Sequence, residues 1–385
     1  MRRKVLIGAG LVFVLCVVVV GTGGFWLSKK LSQRVEGDYF DSNGARIHYT
    51  VEGEGEPVVL VHGFAVNADY NWRRPGVVHR LAQDYQVIAF DHRGHGLSDK
   101  PEDVDQYGDE MVKDVVRLLD HLGIEKAHVV GYSMGGFITL KLLTMYPDRL
   151  LSAAPCAAGW SRPEGEHAIL LEELVASLEA GTGIGPLLKQ LRPGGREPTS
   201  VEIAAANAVF RRFNDEAILA KLVRSFPELV VTEEQLRANQ VPVLSIVGDQ
   251  DPLKDGIDAM TGILGNHEVV VIEGADHMNA TRRPEFVDGL RAFLEKHSLA
   301  KTAGRPARAA CALGGRRFSE RVRGRSLSIV DDYEALLRAR RKGRRWDAAT
   351  RAQCVRHRWR AEGADAEGKV EHGLRRGLDN VALQA

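Results

Sequence analysis

The segment Val129-Val130-Gly131-Tyr132-Ser133-Met134-Gly135-Gly136 constrains this chain more than any other. An unbroken apolar run enters Gly-x-Ser-x-Gly, and a helix is predicted to leave it over residues 137–146. A serine on so tight a strand-to-helix turn needs small neighbours, because its backbone is pressed into a strained conformation and packs closely. Gly131 and Gly135 provide that room. The turn lifts the hydroxyl clear of the sheet edge, and the amides that open the next helix face developing negative charge. An isolated Gly-Ser-Gly turn is common. The strand before it and the helix after it make Ser133 a candidate nucleophile.

Such a turn needs a sheet to stand on, and the chain supplies one. Short apolar runs recur at residues 57–61, 86–90, 127–132, 150–156, 241–247 and 268–272. Residues 46–52 alternate in polarity, as expected of an early edge strand. Between the runs at 86–90 and 127–132, residues 111–122 place Val112, Val115, Val116, Leu118, Leu119 and Leu122 at helical spacing. Strands separated by helices imply a mostly parallel sheet with helices on both faces, so the fold class is α/β. The sheet is divided by residues 160–240, whose pattern is helical at 169–178, 201–212 and 216–225 with Gly/Pro-rich links. An insertion of that kind, without strand signals, predicts a cap over the C-terminal edge of the sheet, where ligands bind in open α/β folds. The core is then residues 37–159 and 241–299.

Both ends are different material. Residues 5–28 contain no charged side chain and are flanked by Arg2, Arg3, Lys4 and then Lys29 and Lys30. That length suffices to cross a bilayer hydrocarbon core of ~30 Å as a helix. The expectation for residues 1–36 is an uncleaved membrane anchor with the catalytic body outside the cytoplasm; a cleaved signal, and hence secretion, is the alternative. At the other end the charge reverses. Residues 301–385 carry 21 Lys+Arg against 10 Asp+Glu, whereas residues 1–300 carry 31 against 41, inside a whole-chain net of only +1. The stretch 300–385 reads as a basic tail with one weak helical candidate at 329–341, too poor in apolar periodicity to fold alone. It is expected to be a solvated appendage, not a nucleic-acid binder. The four cysteines, Cys16, Cys156, Cys311 and Cys354, are too scattered for a disulfide framework.

A serine nucleophile needs a base, a group to orient that base and donors for the oxyanion. His277 follows the last strand, after Gly274-Ala275-Asp276, and is the candidate base among thirteen histidines. Strand 241–247 runs into Gly248-Asp249-Gln250-Asp251; Asp251 is the preferred orienting acid and Asp249 the alternative. The strand 150–156 ends without a carboxylate. Residues 57–61 run into His62-Gly63-Phe64, so the Phe64 amide can turn into the pocket and join the Met134 amide as an oxyanion donor. His62 reads as a structural residue that holds the loop. No cofactor and no metal site are called for.

His62-Gly63-Phe64, Asp91-His92-Arg93-Gly94-His95-Gly96-Leu97-Ser98, Gly131-Tyr132-Ser133-Met134-Gly135-Gly136, Gly248-Asp249-Gln250-Asp251 and Gly274-Ala275-Asp276-His277 together resemble the α/β-hydrolase superfamily over residues 37–297. The resemblance implies a Ser–Asp–His triad, a preformed oxyanion hole and a structural role for residues 91–98. Relatives that open haloalkanes or epoxides would carry aspartate at position 133, so the serine points instead to bacterial carboxylesterases and lipases. The expected substrate is a small-molecule ester of short to medium acyl chain. Carbon–carbon bond hydrolysis, cofactor-free perhydrolysis and a catalytically silent binding protein are the alternatives. Trp160, Phe210, Phe213 and Phe226 are candidates to line the pocket, with packing inside the cap as their other use.

Overall fold

The computed structural model describes residues 36–160, 166–195 and 197–299. The apolar run 5–28, the basic tail and its helical candidate 329–341 lie outside them. Among the described residues no helix is long and apolar enough to cross a membrane.

Among the described residues eight strands form one sheet: β1 (Asp38–Ser42), β2 (Ala45–Glu52), β3 (Glu56–Val61), β4 (Tyr85–Phe90), β5 (Ala127–Tyr132), β6 (Leu150–Cys156), β7 (Val243–Gly248) and β8 (His267–Ile272). Their order is β1-β2-β4-β3-β5-β6-β7-β8. β3 to β8 run parallel; β2 is antiparallel to β4, and β1 is antiparallel to β2. Residues 46–52 are therefore not at the edge, as their alternation suggested. β1 covers them, joined through Asn43-Gly44, both with positive φ (56° and 85°). Asn-Gly is the pair that a two-residue hairpin prefers, because both positions need that conformation.

The helices follow from where the strands bury their side chains. Alternate residues of the central strands enter two different cores. Val59, Val61, Ile88, Phe90 and Val129 pack on one side of the sheet; Val58, Leu60, Val87, Ala89 and Val130 pack on the other. The second side is closed by α1 (Val77–Leu81) and, at the other end of the chain, by a helix over Pro284–Lys296 that inserts Phe286, Val287, Leu290 and Phe293. The first side is closed by α2 (Asp109–His121), which turns Met111, Val112, Val115, Leu118 and Leu119 inward, and by α3 (Met134–Met145), apolar on nearly every face.

Among the described residues five α-helices then lie between β6 and β7: α4 (Glu166–Glu179), α5 (Gly185–Gln190), α6 (Ser200–Phe213), α7 (Glu216–Arg224) and α8 (Glu233–Arg237). Their starts are written locally. Thr199 caps α6 in a capping box with Glu202, Thr232 caps α8 with Gln235, and Asp215 accepts from the Ala217 and Ile218 amides at the start of α7. Buried Leu174, Leu178, Phe210, Leu219 and Leu222 join this cap to the first core. After β7 come α9 (Lys254–Met260) and α10, the Pro284–Lys296 helix already described.

Candidate active site

Ser133 sits at the junction of β5 and α3 with φ 54° and ψ −119°, outside the comfortable region for a side chain bearing a Cβ. The strain is held from several sides. The Ser133 amide donates to Cys156 O (3.0 Å), and Ser133 O accepts from the Gly136 and Phe137 amides (2.8 and 3.1 Å). The two flanking glycines are required by space. A Cβ on Gly131 would lie 2.0 Å from Gly135 O, and one on Gly135 would lie 2.0 Å from Val61 O. The turn is thus locked between its own helix and strand β3.

The serine does not stand alone. Ser133 Oγ lies 3.0 Å from His277 Nε2, and His277 Nδ1 lies 2.9 Å from Asp251 Oδ2. A carboxylate only accepts, so Nδ1 carries the proton and Nε2 is left to accept from the serine hydroxyl. Asp251 and His277 are both buried. The other Asp251 oxygen accepts from the Leu253 amide (2.9 Å), which fixes the carboxylate. Asp249, two residues earlier, is exposed, and its amide is spent on the β8 end at Ile272 O. Position after β7 therefore selects Asp251. Tyr132, the residue before the serine, donates its hydroxyl to His277 O (2.7 Å); burial pushes that phenol well above its ordinary value, so it stays a donor. Its ring centroid is 5.4 Å from that of His277.

The loop after β3 is anchored peptide by peptide. The Gly63 amide donates to Asn71 Oδ1 (2.9 Å), and Gly63 O lies 2.7 Å from His62 Nδ1. His62 Nε2 accepts from the His92 amide (2.9 Å), so Nδ1 is the protonated nitrogen and donates to Gly63 O. In a planar trans peptide the carbonyl and the next N–H point in opposite directions. Holding Gly63 O on the His62 side therefore aims the Phe64 N–H the other way. The Ala65 amide donates to His95 Nε2 (3.1 Å). Both histidines must be neutral for these bonds. Burial lowers His62 below its ordinary value and takes His95 down to about 3. Among the described residues the Phe64 and Met134 amides meet no protein acceptor, and both residues line the cavity that holds Ser133.

Residues 91–98 brace this floor. Asp91 accepts from the Ala68 and Leu97 amides (both 2.9 Å) and lies 3.5 Å from His48 Nδ1. Its burial would raise the carboxyl, but the His48 contact and those amides together hold it at about 2. Arg93 and Asp114 form a fully buried fork, at 2.6 and 2.7 Å, that ties the loop to α2.

Over the serine lies a cavity of about 1840 Å³, lined by Phe64, Met134 and His277 below and by Leu171, Leu174, Ile184, Leu187, Phe210 and Phe213 of the cap. Trp160 and Phe226 line it as well. Small-molecule pockets usually span about 300–1,000 Å³, so this one admits substrates with a substantial apolar part. Among the described residues no group of three or more His, Cys, Asp or Glu side chains is placed to hold a metal ion.

A family model described as the alpha/beta hydrolase fold matches residues 56–181, which include β3, the serine turn and β6. The chain belongs to the α/β-hydrolase superfamily. Within the superfamily it is 33% identical over 261 residues to the dihydrolipoyllysine-residue acetyltransferase component of the acetoin cleaving system of Pseudomonas putida, covering 65% of this chain and 66% of that one. It is 25% identical over 281 residues to haloalkane dehalogenase 2 of Mycobacterium tuberculosis, covering 66% and 92%. The solved structure of Est816, an N-acyl homoserine lactone degrading enzyme, superposes with a TM-score of 0.54 at 27% identity, covering 66% of this chain and all of that one. The first curated relatives are matched over 35% to 66% of their own length. Their activities differ, so membership establishes the fold and leaves the reaction to be argued from the site.

The superfamily motifs pointed to every group on the floor of the site, but not to what fixes them. Tyr132, Asn71 and His95 are separated in sequence from the residues they hold by 145, 8 and 30 positions. Tyr132 and His95 fall in stretches that the motifs single out, but neither motif says which residue they hold, and Asn71 falls in none.

Proposed function

We propose that this protein is a serine hydrolase that cleaves carboxylic esters through an acyl-enzyme on Ser133, with His277 as base, Asp251 as its orienting acid and the Phe64 and Met134 amides as oxyanion donors. The observation that carries the reading is the continuous hydrogen-bonded line Ser133–His277–Asp251 opening into a large apolar cavity. Ser133 Oγ attacks the ester carbonyl while its proton passes to His277 Nε2. Collapse of the tetrahedral intermediate returns that proton to the departing alcohol. Water, deprotonated by the same nitrogen, then releases the carboxylic acid. The two amides stabilise the oxyanion of both intermediates, each contributing roughly 3 kcal/mol.

Serine at position 133 favours ester chemistry over haloalkane or epoxide opening, which in this superfamily would use a carboxylate there. The likeness to a lactone-degrading enzyme supports the same choice, because a lactone is an internal ester. Carbon–carbon hydrolysis and perhydrolysis use the same triad and are separated by substrate. The test is a panel of p-nitrophenyl esters of graded chain length, lactones and vinylogous diketones, run on the wild type and on Ser133→Ala, with fluorophosphonate labelling of Ser133. Full ester turnover by Ser133→Ala would end the proposal, and an unlabelled wild-type serine would favour a binding protein. The apolar run 5–28 is proposed as a tether that keeps the domain at a membrane outside the cytoplasm, to be checked by fractionation of the full chain.

A further inference from the structure

Among the described residues the hydrogen bonds that anchor the loop after β3 come from the core, with one exception from the cap. Three successive peptides of the loop after β3 are anchored by Asn71, His62 and His95, all in the core. The next peptide, between Ala65 and Val66, is anchored by the cap: Asn214 Nδ2 donates to Ala65 O at 3.0 Å. The same Nδ2 donates to Phe210 O at 3.1 Å. Both acceptors are carbonyls, so only the amide NH₂ of Asn214 satisfies them, and its orientation is not in question. Asn214 ends α6 in extended backbone (φ −129°, ψ 151°), and Asp215 then starts α7. It therefore sits in the hinge between two cap helices. On the loop side, Ala65 has φ 60°, a conformation that a residue with a Cβ holds only when neighbours impose it. A second cap contact meets the same loop: the Phe226 ring stands edge-on to Phe64, centroids 6.0 Å apart.

From these contacts we infer that Asn214 is a positioning residue for the proposed oxyanion hole, tying the conformation of the Phe64–Ala65 segment to the seating of the cap. The inference rests on the assignment of Phe64 as an oxyanion donor. With Asn214 bonded, Ala65 is held in its positive-φ state and the Phe64 amide faces the cavity. When the cap lifts to admit substrate, the Asn214 bond and the Phe226 contact are lost together, and Ala65 is free to relax. The hole is then complete only when the cap is seated over bound substrate, and acyl transfer awaits closure.

The test compares wild type with Asn214→Ala and Asn214→Asp; the aspartate keeps the shape but presents an acceptor to Ala65 O. Each is measured for kcat and KM on a p-nitrophenyl ester hydrolysed by the wild type. Each is also measured for inhibition by a trifluoromethyl ketone, whose serine adduct places an oxyanion in the hole, and for thermal midpoint. The expected result is a drop in kcat of about tenfold or more, in line with the sensitivity of such steps to small misplacements. KM should stay within twofold, and ketone affinity should weaken in parallel with kcat. Unchanged kcat and ketone affinity in both folded variants overturn the inference, whether or not the thermal midpoint moves. A rise in KM alone does the same, because it assigns Asn214 to substrate binding. If Asn214→Ala fails to fold, Asn214→Asp decides. A wild type that neither hydrolyses esters nor takes the fluorophosphonate label defeats the parent function instead, before any variant is compared.

Discussion

At the scale of single residues, the strain at Ser133 is the most consequential feature. A serine at φ 54° is stable only because Gly131 and Gly135 leave no side chain between β5, α3 and Val61. Gly135→Ala would drive a methyl group into a backbone oxygen that cannot move without displacing β3. The expected outcome is a loss of ~3 kcal/mol or more of stability, or a displaced turn with no labelled serine, read by urea denaturation and fluorophosphonate labelling. For the chemistry itself, Ser133→Ala and His277→Ala should each lower kcat on an ester by about 10⁴-fold or more, and Asp251→Asn by about 10²–10⁴-fold. A variant of Asp249 should stay near wild type, since that exposed carboxylate touches neither His277 nor the cavity floor. Comparable losses at Asp249 and Asp251 would sink the assignment of the acid. These positions were legible in the chain because the groups follow strand ends, and a strand end in a parallel sheet faces the ligand side whatever the rest of the fold does. The supporting bonds were not legible. Nothing about Tyr132 or Asn71 says which distant carbonyl or amide it will meet.

Among the elements, the helices of the cap are where local and tertiary signals diverge. Their starts are ordinary capping chemistry, and Thr199→Ala should cost about 1 kcal/mol, measurable as a lower urea midpoint. Their apolar faces divide between two uses. Leu219 and Leu222 are fully buried against the core, whereas Phe213 of α6 is half exposed and lines the cavity. Leu219→Ala should therefore destabilise by about 2–5 kcal/mol, while Phe213→Ala should leave stability nearly unchanged and shift chain-length preference on an ester panel. Equal effects on stability would show that Phe213 is packing and not pocket wall. Helical spacing alone cannot tell these residues apart, because both sit on apolar stripes. The edge strand β1 gives the opposite lesson. Its hairpin was written in Asn43-Gly44, but its polar, half-exposed side chains lack the apolar run that marks the inner strands.

For the whole molecule, the buried histidines predict how stability depends on pH. His62, His92 and His95 pack beside one another, and burial holds all three below their ordinary value, His92 well below it and His95 down to about 3. A histidine whose folded value is depressed takes up its proton first in the unfolded chain. Stability is therefore full above the unfolded value of about 6.5 and falls as the pH drops below it, by up to about 1.4 kcal/mol per histidine per pH unit. Asp91, held at about 2 in the fold, adds a second loss below the ordinary carboxylate range, as pH falls from about 4 toward 2. Urea midpoints should drop steadily from pH 7 to pH 4.5, and a flat profile over that interval would contradict neutral buried histidines.

By itself the sequence determined the strand-to-helix turn at Ser133, the alternation of elements and the α/β-hydrolase frame, because each depends on neighbours within a few residues or on a repeating pattern. It also marked the candidate base and acid, because each follows a strand. Only the tertiary structure decided that Asp251 and not Asp249 meets His277, that residues 46–52 lie inside the sheet, and that Asn214 reaches Ala65 across 149 positions. Those contacts join segments far apart in the chain. Their geometry is fixed by how the whole sheet and cap pack, and no local pattern encodes it.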